Sequence, residues 1–266
     1  MPRIFHSCGE VRWSSARGAA MAGALLLLAP GSDRMPSERG RLQVDLPPLM
    51  LWAWDRNDDL RFVDVSDTGI AFLAATVTLR GDGVVLEPRH NPIILPEVAR
   101  RAAVIHVETD RAAPPTLSKN QLRRFVEALA AVNDEVSHHV LQIDFEAPAS
   151  QQIFLIDAIA ALRQRLPGAA ISVTALASWC FNESWIRRLA ADEVVPMLFR
   201  MGYDGRRVRA RLESGGDFRT EECQSSLGIA TNELPAAMPP GRRIYIFNPR
   251  RWTAETYNVV RMRIRR

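Results

Sequence analysis

The feature that most restricts the fold of this chain is a recurrence: eight short apolar runs separated by helical or turn-rich stretches. They lie at Met50–Trp54, Ile70–Leu79, Ala103–Thr109, Val140–Phe145, Ala170–Ser178, Val194–Met201, Leu227–Thr231 and Arg243–Phe247. Runs rich in Val, Ile, Leu and Phe suit strands buried on both faces. Between them, Ser118 with Gln121 forms a capping-box pattern ahead of an apolar stripe of Leu122, Phe125, Val126 and Leu129. Leu155, Ile159, Leu162 and Leu166 make a second stripe closed by Pro167-Gly168, and a shorter helix from Asn182 buries Trp185, Ile186 and Leu189. Strands alternating with helices imply parallel β-α-β units with right-handed crossovers. The expectation is an α/β fold of the (β/α)8 TIM-barrel type over residues 49–266, near the lower limit of roughly 200 residues for that architecture. Arg56 to Gly69 makes a poor helix, and Gly81 to Pro96 reads as a hairpin extension. The expected barrel is therefore irregular or incomplete, with a doubly wound open sheet as its rival.

The first 48 residues have another character. Arg3, Arg12 and Arg17 precede an uncharged run from Gly18 to Ser32 containing Leu25, Leu26, Leu27 and Leu28. Residues 1–32 read as a signal peptide cut near Ser32, after the small residues Ala29 and Gly31. The alternative is a short uncleaved anchor, although a spanning helix needs about 20 apolar residues. Residues 33–48, polar and holding Gly, Pro and Ser, read as a linker. The expected location is periplasmic or extracellular, with membrane contact only through an uncleaved N-terminal segment.

Charge and cysteine content narrow the partners. The net charge is +4, but basic residues are scattered among acids, and Lys119 is the only lysine among 34 basic residues. No basic stripe interleaved with aromatics is present, so a nucleic-acid partner is not expected. Cys8 falls in the targeting segment, which leaves Cys180 and Cys223; in an oxidising compartment these are expected to form one disulfide. No CxxC motif and no metal-ligand spacing among the histidines is found, and neither a metal nor a cofactor is expected.

In a barrel of this type the active site lies at the C-terminal ends of the strands. Polar and aromatic residues gather there: Trp54-Asp55 after the first run, Glu108 at the third, Asp144 and Glu146 at the fourth, Trp179 after the fifth. Arg200, Tyr203 and Asp204 follow the sixth, Asn232-Glu233 the seventh, and Trp252 the eighth. Asp144 and Glu146 are two apart, so on a strand both side chains face one side, into the barrel mouth. Neighbouring carboxylates repel, which raises the pKa of one and makes it a usable general acid.

Asp144-Phe145-Glu146, Met201-Gly202-Tyr203-Asp204 and Trp252 resemble the equivalent positions of chitinase-like family-18 glycoside hydrolases. Gln142 to Ala147, Val195 to Gly202 and Phe247-Asn248-Pro249 more closely resemble an uncharacterised bacterial family, domain of unknown function 3142, over nearly all of the chain after the linker. The chitinase resemblance implies that Glu146 protonates the glycosidic oxygen while Asp144 and Tyr203 position a substrate N-acetyl group. Where it implies a further acid upstream of Asp144, this chain has Val140, Leu141 and Gln142.

A second arrangement pairs Glu146 with Glu233 across the mouth, as in two-carboxylate glycosidases; Glu233 reads equally as a residue placed at a helix start. Trp54, Trp179 and Trp252 suit either stacking on a sugar ring or packing the barrel end. Arg200, in an otherwise apolar run, is expected to meet Glu146, Asp144 or Glu108 and to lower that partner's pKa. These readings together describe an exported carbohydrate-active protein acting on polysaccharide or oligosaccharide, with a glycoside-hydrolase-like activity. Its rivals are a non-catalytic glycan-binding protein and a structural or partner-binding envelope protein on the same fold.

Overall fold

The computed structural model describes residues 42–264 apart from Ser137, Glu183 and the side chain of Asn182. The proposed signal segment or anchor, its cut near Ser32, and Cys8 lie outside the described residues. Eight parallel strands follow one another: β1 (Leu49–Ala53), β2 (Thr68–Arg80), β3 (Arg101–Thr109), β4 (Val140–Asp144), β5 (Ala170–Leu176), β6 (Glu193–Met197), β7 (Ser226–Ala230) and β8 (Arg243–Phe247). Each pairs with the next, and β8 pairs with β1, Trp52 standing opposite Phe247. That last pairing closes the ring, so the barrel is complete and the open-sheet alternative is excluded.

The irregularity lies outside the ring, in its connections. A strand at Gly83–Pro88 folds back antiparallel on β2, and Asp58–Asp59 pairs with Ile93–Ile94 in a small separate ladder. Among the described residues no α-helix follows β1, β2 or β7. Helix α1 (Lys119–Glu135) follows β3, α2 (Gln152–Arg165) follows β4, α3 (Trp179–Asn182) and a 3₁₀ turn at Ser184–Arg188 follow β5, α4 (Gly205–Glu213) follows β6, and α5 (Ala254–Ile264) follows β8. The sixth strand ends four residues earlier than its apolar run suggests, because Leu198 to Arg200 turn away to shape the mouth.

Local chemistry explains the best-formed helix. Ser118 caps α1 by accepting from the Gln121 backbone N–H at 3.0 Å. The Gln121 side chain accepts from Leu117 N–H at 2.8 Å and donates to the carbonyls of Gly81 and Gly83 at 3.0 and 2.9 Å. One glutamine thus joins helix and hairpin. Phe125, Val126 and Leu129 on α1 and Leu155, Ile159 and Leu162 on α2 are buried against the barrel's outer face.

Inside the ring the floor is polar. Gln142, Ser172 and Glu193 stand in register on β4, β5 and β6. Gln142 accepts from the Trp52 indole at 2.7 Å and donates to Ser172 at 3.0 Å, and Ser172 donates to Glu193 at 2.9 Å. Glu193 also accepts from Ser226 at 2.5 Å and Tyr245 at 2.7 Å and pairs with Arg243. A buried carboxylate is tolerated only when so fully partnered. Arg243 further donates to the carbonyls of Val44, Leu46 and Pro47. The end of the stretch read as a linker therefore belongs to the fold, across the barrel's N-terminal end.

Candidate functional site

Above the floor, the inner-face residues at the strands' C-terminal ends line a pocket of about 640 Å³ including its open mouth. Its apolar wall is aromatic. Phe199 and Phe247 stack at 5.6 Å and 11°, and Trp54 meets the Phe247 ring edge-on at 5.9 Å. Its polar side comes from three adjacent strands: His106 of β3, Asp144 of β4 with Glu146 just beyond, and Thr174 of β5. His106 and Asp144 are register partners, which sets them side by side on the inner face.

Both carboxylate oxygens of Asp144 are engaged. Its Oδ1 accepts from Thr174 at 2.6 Å and its Oδ2 lies 2.8 Å from His106 Nδ1. The other imidazole nitrogen of His106 lies 3.3 Å from Glu108. Burial works against charge on His106, but the hydrogen bond and charge of Asp144, followed by Glu108, outweigh it and raise the imidazole pKa above 6.5. Glu146 stands at the solvent-accessible mouth. Desolvation first, and then the charge of Asp144, push its carboxyl above the ordinary value of 4.5, against the opposing pull of His106 and Arg200. The arrangement supplies a carboxyl biased toward its protonated form beside a carboxylate held in place.

Of the residues singled out in the sequence, Trp54, Asp144, Glu146 and Arg200 line this pocket. Arg200 has no carboxylate within 4 Å among the described residues, so the expected ion pair with Glu146, Asp144 or Glu108 does not form. Its guanidinium lies over the Phe247 ring at 5.8 Å, and its backbone takes a left-handed conformation, φ 52°. Solvent at the rim removes the burial cost on which the expected pair was argued.

The remaining candidates lie elsewhere. Glu108 is largely exposed and lies 3.3 Å from the imidazole nitrogen of His106 that does not face Asp144. Asp55 accepts from the Asn91 backbone at 2.9 Å, fixing the loop after β1. The carboxylate of Glu233 is paired with Arg209 at 2.9 Å and accepts from the Arg200 backbone at 3.3 Å; it does not line the pocket. Tyr203 is 95% exposed on the 3₁₀ turn after β6, with Asp204 beside it, and Asn232 is exposed after β7. Trp179 packs against Trp185 at 5.0 Å among the helices, and the buried Trp252 donates to the Trp52 carbonyl at 2.8 Å. Cys180 and Cys223 are joined, with Cα atoms 6.0 Å apart.

His106 and Thr174 were missed because both sit inside apolar runs rather than at their ends. A signal was nonetheless present: His106 shares a period of two with Glu108, as Asp144 does with Glu146. Val140, Leu141 and Gln142 stand where the chitinase resemblance implies an acid; Gln142 serves the barrel floor, and the partner of Asp144 comes from the neighbouring strand.

The fold and site together define a closed α/β barrel with an acidic, aromatic-walled mouth. No family model matches the chain, and no curated protein matches it. Among solved structures, it is similar to one described as "putative Chitinase A from Streptomyces coelicolor", with a TM-score of 0.50 and 11% identity, over 81% of this chain and 94% of that chain. At that identity the likeness concerns the fold alone, which is chitinase-like.

Proposed function

We propose that this chain is an exported carbohydrate-active protein with glycoside-hydrolase-like chemistry, Glu146 being the general acid. The observation that carries the reading is the placement of Glu146 beside Asp144 at an open mouth with an aromatic wall, where burial and that neighbour bias its carboxyl toward the protonated form. Glu146 would give its proton to the glycosidic oxygen as the bond to the anomeric carbon breaks, and water would then add to that carbon and return a proton to the Glu146 carboxylate. Asp144, held by His106 and Thr174, would stabilise the positive charge that develops on the sugar ring. Trp54, Phe199 and Phe247 would receive the apolar face of that ring.

Export with a cut near Ser32 belongs to the same proposal and is supported by the arginine-led apolar segment. So does membership of the domain-of-unknown-function 3142 family, which rests on the three motifs quoted above. A second reading, glycan binding without turnover, is favoured by one observation: both oxygens of Asp144 are already engaged.

The test is a panel of neutral and acidic polysaccharides incubated with the purified protein and with Glu146→Gln. Hydrolysis should release reducing ends with the parent protein and fall at least about a hundredfold in the variant, with binding retained. Binding without release by either protein selects the second reading. Turnover that survives in Glu146→Gln removes the assignment.

A further inference from the structure

A second hollow opens on the same side of the barrel, enclosing about 530 Å³ up to its mouth. It is built by Ser178 and Phe181 after β5, Asp204, Arg207 and Arg211 after β6, and Arg219 in the loop before β7. Three guanidinium groups thus share one small space with a single carboxylate. Among the described residues, none of the three arginines has a carboxylate within 4 Å. Arg207 and Arg211 are one turn apart on α4 and face the same way.

The loop carrying Arg219 is fixed with unusual redundancy. The backbone N–H groups of Arg219 and Thr220 both donate to the Cys180 carbonyl at 3.2 Å, and the Cys180–Cys223 bond ties the same two segments. Phe218 packs on Phe181 at 4.9 Å, and Asp217 is paired with Arg242 at 2.5 Å. Three guanidinium groups beside the one carboxylate of Asp204 leave an excess of positive charge, and a structure that braces them together favours an anionic ligand. Guanidinium forks match the planar or tetrahedral oxygens of carboxylate and sulfate.

The hollow shares its supports with the barrel mouth. Thr174 and Arg200 line the mouth, and four residues beyond each of them Ser178 and Asp204 line the hollow. Four residues reach at most about 14 Å, within the span of a short oligosaccharide. At the mouth both oxygens of Asp144 are already engaged and the aromatic wall suits the apolar face of an uncharged sugar, whereas the arginines favour a charged group further along the same chain. We infer that the hollow is a subsite for the carboxylate or sulfate of an acidic polysaccharide whose neighbouring, uncharged unit occupies the barrel mouth. The inference rests on the carbohydrate reading above.

The test measures binding of the protein to hyaluronan and keratan sulfate, whose charged units alternate with uncharged ones, to the neutral chains laminarin and glycol chitin, and to inorganic sulfate. The variants are Arg207→Ala/Arg219→Ala and, separately, Trp54→Ala. Acidic chains should bind tighter than neutral ones and weaken between about 50 mM and about 0.5 M NaCl. The double arginine variant should bind the acidic chains at least about tenfold more weakly at a melting temperature no lower than the parent's, since both side chains are exposed. Hyaluronan, which carries carboxylates alone, against keratan sulfate, which carries sulfates alone, tells carboxylate from sulfate. Neutral chains held through Trp54, with the arginine variant unchanged, would keep the carbohydrate reading and overturn this subsite. Loss of acidic binding in the arginine variant with no effect of Trp54→Ala on any chain would leave an anion site and remove the polysaccharide. Inorganic sulfate competing at the same concentration as the polymer's sulfate groups would likewise assign the hollow to a free small anion.

Discussion

The imidazole Nδ1 of His106 lies 2.8 Å from Asp144 Oδ2, and the two residues are register partners on adjacent barrel strands. With Glu108 on its other nitrogen at 3.3 Å, His106 bridges two carboxylates. Its charged form is favoured in the folded protein, and Asp144 is thereby held as a neighbour of Glu146 without a direct hydrogen bond between the two acids. The chemistry of the mouth depends on this histidine as much as on either acid.

Stability should register that bridge. The folded-state pKa of His106 is raised above 6.5, so its contribution is complete below that value and is lost as pH rises through the raised pKa. The raised carboxyl of Glu146 acts in the same direction, because its ionised form is disfavoured in the folded protein. The urea midpoint should therefore fall on going from about pH 6 to about pH 8. His106→Gln should flatten that slope. An equally steep slope in the variant would place the pH dependence elsewhere.

Activity should respond in the opposite sense to the same substitution. Glu146 acts only while protonated, so turnover declines as pH rises through its pKa. His106 and Arg200 both lower that pKa, and replacing either by a neutral residue releases it upward. In His106→Gln and in Arg200→Gln the alkaline limb of the pH–rate profile should move to higher pH. A shift to lower pH in both would show that Glu146 is not the group titrating.

On the barrel floor, Glu193 collects Ser172, Ser226, Tyr245 and Arg243. Removing its charge strands a guanidinium that is mostly buried, and Glu193→Ala should cost about 3–5 kcal/mol in urea unfolding. Tyr245→Phe deletes one donor and leaves three, and should cost about 1 kcal/mol. Burial, followed by the charge of Glu193, pushes the Tyr245 phenol well above 10.0, so its hydroxyl stays a donor across the working pH range. Equal costs for the two variants would mean that the network does not hold the floor.

Gly228 on β7 approaches Trp52 so closely that a Cβ there would lie 2.7 Å from the indole. Gly228→Ala should push the indole off Gln142, lower stability by about 1–3 kcal/mol, and change the tryptophan fluorescence. An unchanged emission spectrum with unchanged stability would mean that the ring moves aside freely.

The strands were legible because parallel barrel strands are buried on both faces, which leaves continuous apolar runs such as Val140 to Phe145. Closure was not legible, since it depends on β1 meeting β2 and β8 by backbone pairing that no side chain announces. Glu146 and Asp144 were found at a strand end through their spacing. His106 and Thr174 reach the same pocket from within apolar runs, where a polar residue looks like core, and Phe247 ends its run as an aromatic that reads equally as core. Arg200 was misjudged for a related reason: its run reads as strand to Met201, but the strand ends at Met197 and leaves the side chain at the rim. Glu233 illustrates the limit of pattern reading, because only the fold reveals Arg209 on α4 as its partner.

The Cys180–Cys223 bond should stabilise the protein chiefly by restricting its unfolded chain. It closes a segment with a sequence separation of 43, for which loop entropy gives about 4 kcal/mol. The bond joins α3 to the turn ahead of β7, outside the ring of barrel strands, and the same two segments are also held by the hydrogen bonds of Arg219 and Thr220 to Cys180. Cys180→Ser/Cys223→Ser should accordingly keep its far-ultraviolet circular dichroism and its barrel mouth while its urea midpoint falls. Unstapled, the loop of Arg219 opens more readily than the core, so amide exchange should rise first at Arg219 and Thr220. A variant with the parent's urea midpoint, or one whose exchange rises first in β4 and β5, would show that the bond does not act through this loop.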